Sequence, residues 1–231
     1  MKTSLPPVTT IGAVAVGAVL LYTGIKILRG KLYDFVFVGL STGWYREVLD
    51  LLPQKSRMLD VGIGTGMALI HNKELVEKKE IFVDGVDYDA DYIVDCKKNV
   101  RDHKLDASIH VHHGSIYDYT SPTPYDAVYF SASLMIMPNP VQALKHTASL
   151  LNATGRIYVT QTIQTQKSWI TEVGKPLLKF ITTVDFGNVT YEDDLARTVD
   201  AAGLKIVLNQ AISGSSLDSV RSFRLLVLER K

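Results

Sequence analysis

The sequence predicts an α/β fold: a doubly wound sheet of seven strands, mostly parallel, with an antiparallel edge hairpin and a transmembrane helix in front. Three observations predict it. From Arg57 onward, short apolar runs rich in β-branched and aromatic residues alternate with longer helical stretches, the pattern of parallel strands covered by helices on both faces. Two final apolar runs, "LKIVLNQAI" and "SFRLLVLER", follow one another across a short polar connection, as an edge hairpin does. Ahead of all of these stands "VTTIGAVAVGAVLLYTGIKIL", residues 8–28, whose only charge is Lys26. Its length matches the roughly 20 helical residues that cross a bilayer.

That segment divides the chain into an anchor at 1–29, lid or linker helices at 30–55 and a main domain at 56–231. Gly12, Gly17 and Gly24 are costly in a soluble helix but tolerated in membrane helices, where small residues let neighbours approach. Lys26 lies close enough to the end to snorkel. A cleaved signal peptide needs a small-residue cleavage site, and a mitochondrial presequence is rich in arginine, whereas the first arginine here is Arg29. A buried helix of a soluble domain is the remaining alternative. Lys26, Arg29 and Lys31 follow the segment and only Lys2 precedes it, so the positive-inside rule places the main domain on the cytosolic side of a single-pass protein. The membrane could be that of the endoplasmic reticulum or of mitochondria. The lipid bilayer is the partner expected for this part of the chain.

Next comes "KLYDFVFVGLSTGWYREVLDLLP", read as one or two short helices interrupted by Gly39, Gly43 and Pro53. Trp44 and Tyr45 suit either a membrane interface or the domain's own core. Strands follow at "RMLDVGI", "IFVDGVDY", "ASIHVHH", "YDAVYFSA" and "GRIYVTQTI". Between them the spacing predicts helices over Met67 to Lys79, Ala90 to His103 and Pro140 to Leu151, the last closed by a turn around Asn152 and Gly155. Helices at about Ser168 to Ile181 and Tyr191 to Ala202 precede the final hairpin.

With 231 residues, 46% of them hydrophobic, the chain can build one sizeable core and an appendage. A net charge of +1 provides no basic field for nucleic acid, which is excluded as a favoured partner. Cys96, the single cysteine, can make neither an internal disulfide nor a cysteine zinc site and belongs on the apolar side of a helix. In "HVHH", His110 and His112 share one face of a strand and His113 takes the other. No acidic or cysteine partner stands at ligand spacing, so no metal is expected.

The chemistry concentrates where the first strand ends. In an open α/β sheet, ligands bind beyond the carboxyl ends of the strands, near the point where strand order reverses. "LDVGIGTGMAL" places Gly62, Gly64 and Gly66 in alternation there, while Met67 stands where a dinucleotide turn needs its last glycine. A nicotinamide cofactor is therefore disfavoured. Asp87, twenty-five positions after Gly62, ends the second strand, where a carboxylate can accept both hydroxyls of a ribose. Asp84 precedes it and Asp89 follows it, and Asp87 is favoured because it follows Gly85-Val86, the last apolar step of the strand. Ser115 and Ile116 follow the third strand, and Ser131 to Ser133 end the fourth beneath the reacting group.

Taken together, "LDVGIGTG", "GVDYD", "HGSIYD" and "YDAVYFSASL" resemble the motifs of the class I S-adenosylmethionine-dependent methyltransferases, over a stretch from about Tyr33 to the carboxyl end. The resemblance implies a Rossmann-like domain with S-adenosyl-L-methionine as cofactor. It further implies that Asp60, Gly62, Gly64, Thr65 and Gly66 hold the amino acid end of that cofactor, with Ser131 on the floor. Asp87, with Tyr88 beside it, takes the ribose, and Ser115 and Ile116 the adenine. Many relatives carry an aspartate in place of Ser115, so the contact to the adenine amino group can shift to Asp118 or to backbone.

Methyl transfer draws much of its acceleration from alignment and exclusion of water, and a base is needed only for an acceptor that must lose a proton. Tyr33, Tyr45 or a histidine is the candidate for that role. The segment before the first motif resembles the lid of quinone and phospholipid methyltransferases, and the apolar stretch after the fifth strand can form the facing wall. A small hydrophobic or lipid-like acceptor is therefore expected. The alternatives are a thiol or protein methyltransferase with the same anchor, or a catalytically silent cofactor-binding scaffold in a membrane assembly. The sequence leaves the oligomeric state open.

Asn152-Ala-Thr and Asn188-Val-Thr test the orientation, because both are glycosylation sequons. With the main domain on the cytosolic side, glycosidase treatment of the cell-expressed chain leaves its electrophoretic mobility unchanged; a shift on treatment places the domain in a lumen.

Overall fold

The computed structural model describes residues 38–166 and 189–231. The apolar segment at 8–28, Tyr33 and the helix expected at 168–181 lie outside the described residues. Among the described residues, no helix is long and apolar enough to cross a membrane.

Seven strands form one sheet: β1 (Arg57–Val61), β2 (Phe82–Asp87), β3 (Ile109–His113), β4 (Tyr125–Ser131), β5 (Leu151–Gln164), β6 (Leu204–Ala211) and β7 (Arg221–Arg230). Their order is β3-β2-β1-β4-β5-β7-β6. The first five are parallel, and β7 runs antiparallel between β5 and the edge strand β6, as the closing hairpin predicts. Strand order reverses at β1, which lies between β2 and β4, so the turn after β1 sits at the switch point where such sheets bind ligands.

Both faces are covered, which is why β1 and β4 read as nearly unbroken apolar runs. Helices α1 (Gly39–Leu51), α2 (Met67–Ile70), α3 (Lys73–Lys78) and α4 (Ala90–Asp102) pack on the face of Met58, Val83, Tyr129 and Val227. On the other face, α5 (Pro140–Ser149) and α6 (Glu192–Ala201) cover Leu59, Val86, Phe130 and Leu226. Cys96 lies on the buried side of α4 with Ile93 and Val100, where the apolar spacing puts it.

Helix α1 settles the question raised by its two aromatic residues. Trp44, Tyr45, Val48 and Leu49 form one buried stripe, and the Trp44 and Tyr45 rings rest on Phe223 and Tyr129. The helix is part of the domain core. Both of its ends are tied down. Lys79 Nζ donates to the carbonyls of Leu49, Asp50 and Leu52 at 2.7–2.8 Å, a cation on the negative end of the helix dipole. Near the amino end, Asn72 Nδ2 donates to Thr42 O at 2.9 Å.

Two element boundaries differ from expectation. The single helix predicted over Met67 to Lys79 breaks in two, because Asn72 turns its side chain back onto Ala68 O while its own carbonyl starts the next helix. The turn predicted around Asn152 and Gly155 is absorbed into β5, where pairing jumps from Tyr125↔Leu151 to Ala127↔Arg156 and the residues between bulge outward.

Asp84 and Asp87 part company here. The strand alternation places Asp84 on the α5 face, where Oδ2 meets Arg57 Nη2 at 2.5 Å and accepts the Tyr125 hydroxyl at 2.6 Å. Arg57 in turn lies over the Tyr125 ring, 4.3 Å from its centroid. His112 Nε2 and His110 Nδ1 stand 3.2 and 3.8 Å from Asp84 Oδ1. No group of three metal-ligating side chains is arranged to hold an ion among the described residues. Asp84 is only 4% exposed, and Asp84→Ala removes the acid shared by the Arg57 guanidinium, which keeps Thr123 O and Ser121 Oγ, and the Tyr125 phenol, which keeps Tyr119. The variant is expected to lose roughly 3–5 kcal/mol of unfolding free energy in urea titrations, with an unchanged m-value.

Candidate active site

Beyond Val61 the chain must turn sharply from strand to helix, and it does so through left-handed backbone at Gly62 (φ +81°), Gly64 (φ +59°) and Gly66 (φ +72°). Space is as restrictive as conformation. A Cβ on Gly62 would lie 2.6 Å from Ser133 Cβ, and one on Gly66 would lie 2.7 Å from Cys96 Sγ. The turn is thus wedged between the end of β4 and helix α4. Ser133 Oγ donates to Val61 O, and Asn99 Nδ2 donates to Thr65 O at 3.0 Å, so the backbone is pinned from both sides.

This rigidity fixes the carboxylate at the end of β2. Gly64 N donates to Asp87 Oδ2 at 2.9 Å, and Asp89 N donates to Oδ1 at the same distance. The Tyr88 N–H supports the same carboxylate, and with about four acceptor sites it keeps room for a further donor such as a ribose hydroxyl. Burial pushes the Asp87 carboxyl above the ordinary carboxylate range, and the N–H groups of Asp89 and Gly64 pull it back. Asp89, the other aspartate near this position in sequence, caps α4 instead by accepting from Asp91 N and Tyr92 N.

Asp60 lies on the α1 face of β1 and is wholly buried. Its Oδ2 accepts the Tyr45 hydroxyl at 2.7 Å, while Oδ1 is buried and has no hydrogen-bond partner among the described residues. Desolvation pushes its pKa up to about 7; the bond from Tyr45 opposes that rise and the nearby charge of Asp87 adds to it. An unsatisfied buried carboxylate oxygen costs free energy until a donor or cation reaches it. Val38, Ser41 and Tyr45 of the α1 region face Gly62, Met67 and Ser131 across an open cleft.

The other residues expected in the site are placed as follows. Thr65 is buried within the turn, and Ser131 lines the cleft. Tyr45 reaches the site, but its hydroxyl hydrogen is committed to Asp60 and its ring packs edge-on against Tyr129 at 4.8 Å. Tyr88 projects its ring into solvent, 80% exposed, next to Asp87. Ser115 Oγ accepts from Tyr117 N in a local turn, and Ile116 is buried in the core with Val86 and Leu134. Asp118 is exposed in the same turn. Cys96, under Gly66, is an unreactive thiol, because burial pushes its pKa up to about 12.

Sequence reasoning missed three of the supports, Asn99 for the turn and Asn72 and Lys79 for α1, and placed Ser133 at the floor without its bond to the turn. Each acts through a backbone carbonyl far away in sequence, a contact that leaves no motif.

The family profile described as a methyltransferase domain matches residues 52–193. A comparison with curated proteins gives no match. Among solved structures the chain is similar to the [4+2]-cyclase SpnF, with a TM-score of 0.63 and 15% identity over 87% of this chain and 95% of that one. It is similar to geranyl diphosphate C-methyltransferase from Streptomyces coelicolor in complex with S-adenosyl-L-homocysteine, with a TM-score of 0.63 and 14% identity over 81% and 77% of the two chains. A third similar structure is the O-methyltransferase NcsB1 with S-adenosyl-L-homocysteine and a dihydroxynaphthoic acid, with a TM-score of 0.61 and 17% identity over 92% and 58%.

The state of Asp60 has a measurable sign. A carboxyl whose folded pKa of about 7 exceeds its unfolded value stays protonated in the fold while the unfolded chain ionises. Its contribution to stability therefore declines as pH rises from about 3.9, the unfolded value, to the folded pKa, and is level above it. Asp60→Asn should flatten that decline in calorimetric scans across this range; an unchanged slope would show that Asp60 ionises normally in the fold.

Proposed function

Because the chain belongs to the methyltransferase-domain family and is an S-adenosylmethionine-dependent enzyme, we propose that it methylates a small hydrophobic or lipid-like acceptor while residues 8–28 hold it in a bilayer. The observation that carries the cofactor assignment is the pair of carboxylates flanking one rigid glycine turn. Asp87 is oriented by Gly64 N–H with acceptor capacity to spare, and Asp60 keeps one buried oxygen unpaired. These features fit the two polar parts of the cofactor. Asp87 would accept the ribose hydroxyls, and Asp60 Oδ1 would receive the α-ammonium group, a cation that favours the ionised carboxylate.

When bound, the cofactor supplies a methyl group on a sulfonium, which passes in line to the acceptor. The protein's part is to align and to dry the site. Tyr45 holds Asp60 in place and, with Val38 and Ser41, forms the wall of the cleft. With its hydroxyl hydrogen bonded to Asp60, Tyr45 is better suited to positioning than to removing a proton. Tyr33 remains a candidate base for an acceptor that needs one.

The acceptor and membrane assignments rest on where the chain enters. Residue 38 lines the cleft, and the apolar segment ends ten residues earlier, so an anchored chain would hold its cleft close to lipid. Membrane-dissolved acceptors then meet it at high effective concentration. Ile63, Met67 and Ala68 give the cleft an apolar lining that suits such molecules. With the positive-inside orientation, the domain faces the cytosol.

Binding is the first test. S-adenosyl-L-homocysteine at a hundredfold excess over its Kd should stabilise the fold by about 2.7 kcal/mol, and Asp87→Ala should abolish the thermal shift. No shift in the unsubstituted chain would remove the cofactor assignment. Labelled methyl transfer into fractionated membranes should then place counts in the lipid-soluble small molecules. Counts confined to thiols or protein would reassign the acceptor, and binding without counts anywhere would make the chain a scaffold.

A further inference from the structure

We infer that the carboxyl-end rim of the sheet is a surface that lies on a zwitterionic bilayer, so that the cleft opens against lipid; this rests on the anchored reading above. The rim is built by the loop after β4 and by the β6–β7 connection. The latter reaches this end because β7 is antiparallel, starting with Arg221 beside Gln164 at the close of β5. Ile136, Leu217 and Val220 on these two loops are 43%, 43% and 48% exposed, large apolar side chains with solvent around them. The β4 loop, "SASLMIMPNP" at 131–140, contains no charged residue, and the connection "ISGSSLDSV" at 212–220 contains Asp218 alone.

The opposite end of the same sheet has the contrary character. There the strand starts and the end of β7 carry the ion pairs Lys55–Glu80, Arg156–Glu229 and Lys231–Asp200, most of these side chains about half exposed or more. The two loops are therefore apolar patches on a rim whose other loops carry acids, among them Asp91, Asp118 and Asp193. Scattered apolar side chains are ordinary on a surface, but three on two loops at the same end of the sheet, neither loop carrying a basic residue, mark a contact face.

The chain's course selects the bilayer as occupant. It enters the described structure at Val38, on the cleft at this same pole. Residues 29–37 between the apolar segment and that point span at most about 30 Å even when fully extended. A membrane-embedded segment at 8–28 thus keeps this pole, rather than the opposite one, against the membrane. The two loops carry no basic residue, and Arg221 follows directly after them, so the contact does not depend on anionic headgroups.

The full chain reconstituted into phosphatidylcholine vesicles containing bromolipids provides the test. A tryptophan reporter is placed at the rim as Leu217→Trp and at the far pole as Leu51→Trp, a residue 46% exposed at the end of α1. Emission is read as the difference from the unsubstituted chain. The rim reporter is expected to lose emission to bromine and the far reporter to keep it, with no change when anionic lipid is added. Should Leu217→Trp fail to fold, Val220→Trp reports on the same loop. A chain that sediments with vesicles but whose rim reporter is unquenched overturns the docking face and leaves the anchor standing. Such a result accompanied by cross-links between copies would assign the rim to self-association. A chain that stays in the supernatant overturns both readings.

Discussion

A tyrosine hydroxyl on α1 gives its hydrogen to a carboxylate buried at the end of β1, and the architecture of the cleft hangs on that bond. Asp60 can remain inside the core because Tyr45 satisfies one of its oxygens, and α1 can lie over the sheet because Tyr45 has something to reach. Removing the phenol oxygen would leave both carboxylate oxygens without partners, a cost of order 1–3 kcal/mol or more in a dry interior. The same bond leaves the other oxygen available. A site for a cation is thus prepared by incomplete satisfaction, at a point where the surrounding packing is otherwise complete.

Rigidity around this bond is distributed. The glycine turn is held by Ser133 and Asn99, and α1 is held at its two ends by Asn72 and Lys79. None of these four meets the others in sequence, yet each closes a degree of freedom that would let the carboxylates drift. Positioning to within a fraction of an ångström is what in-line transfer requires of a protein that contributes little acid or base chemistry.

The sheet was legible because its signal is local. Strand alternation, glycine spacing and the closing hairpin are all written within a few residues, and strands β1 to β7 lie where those patterns put them. The sequence favoured Asp87 over Asp84 and Asp89, and the structure shows what occupies the other two. Period two puts Asp84 on the opposite face, where Arg57 claims it, and Asp89 goes to a helix cap. Helix α1 could be seen but not its partner, since an aromatic stripe is equally suited to lipid and to a core. The break at Asn72 combines a local bond to Ala68 O with one to Thr42 O on α1, and the bulge after Leu151 depends on the β4 ladder. For Asp84, for the aromatic stripe of α1 and for the bulge, the deciding contact is long in sequence, which one-dimensional patterns do not encode.

The thiol beneath the glycine turn has a consequence of a different kind. Cys96 Sγ is packed so closely under Gly66 that no side chain could intervene, and no other sulfhydryl exists in the chain. A reagent can reach it only when the turn lifts away from α4. The rate at which the protein accepts one equivalent of a thiol label is therefore a clock for the opening of the turn, and any molecule seated on that turn should slow it.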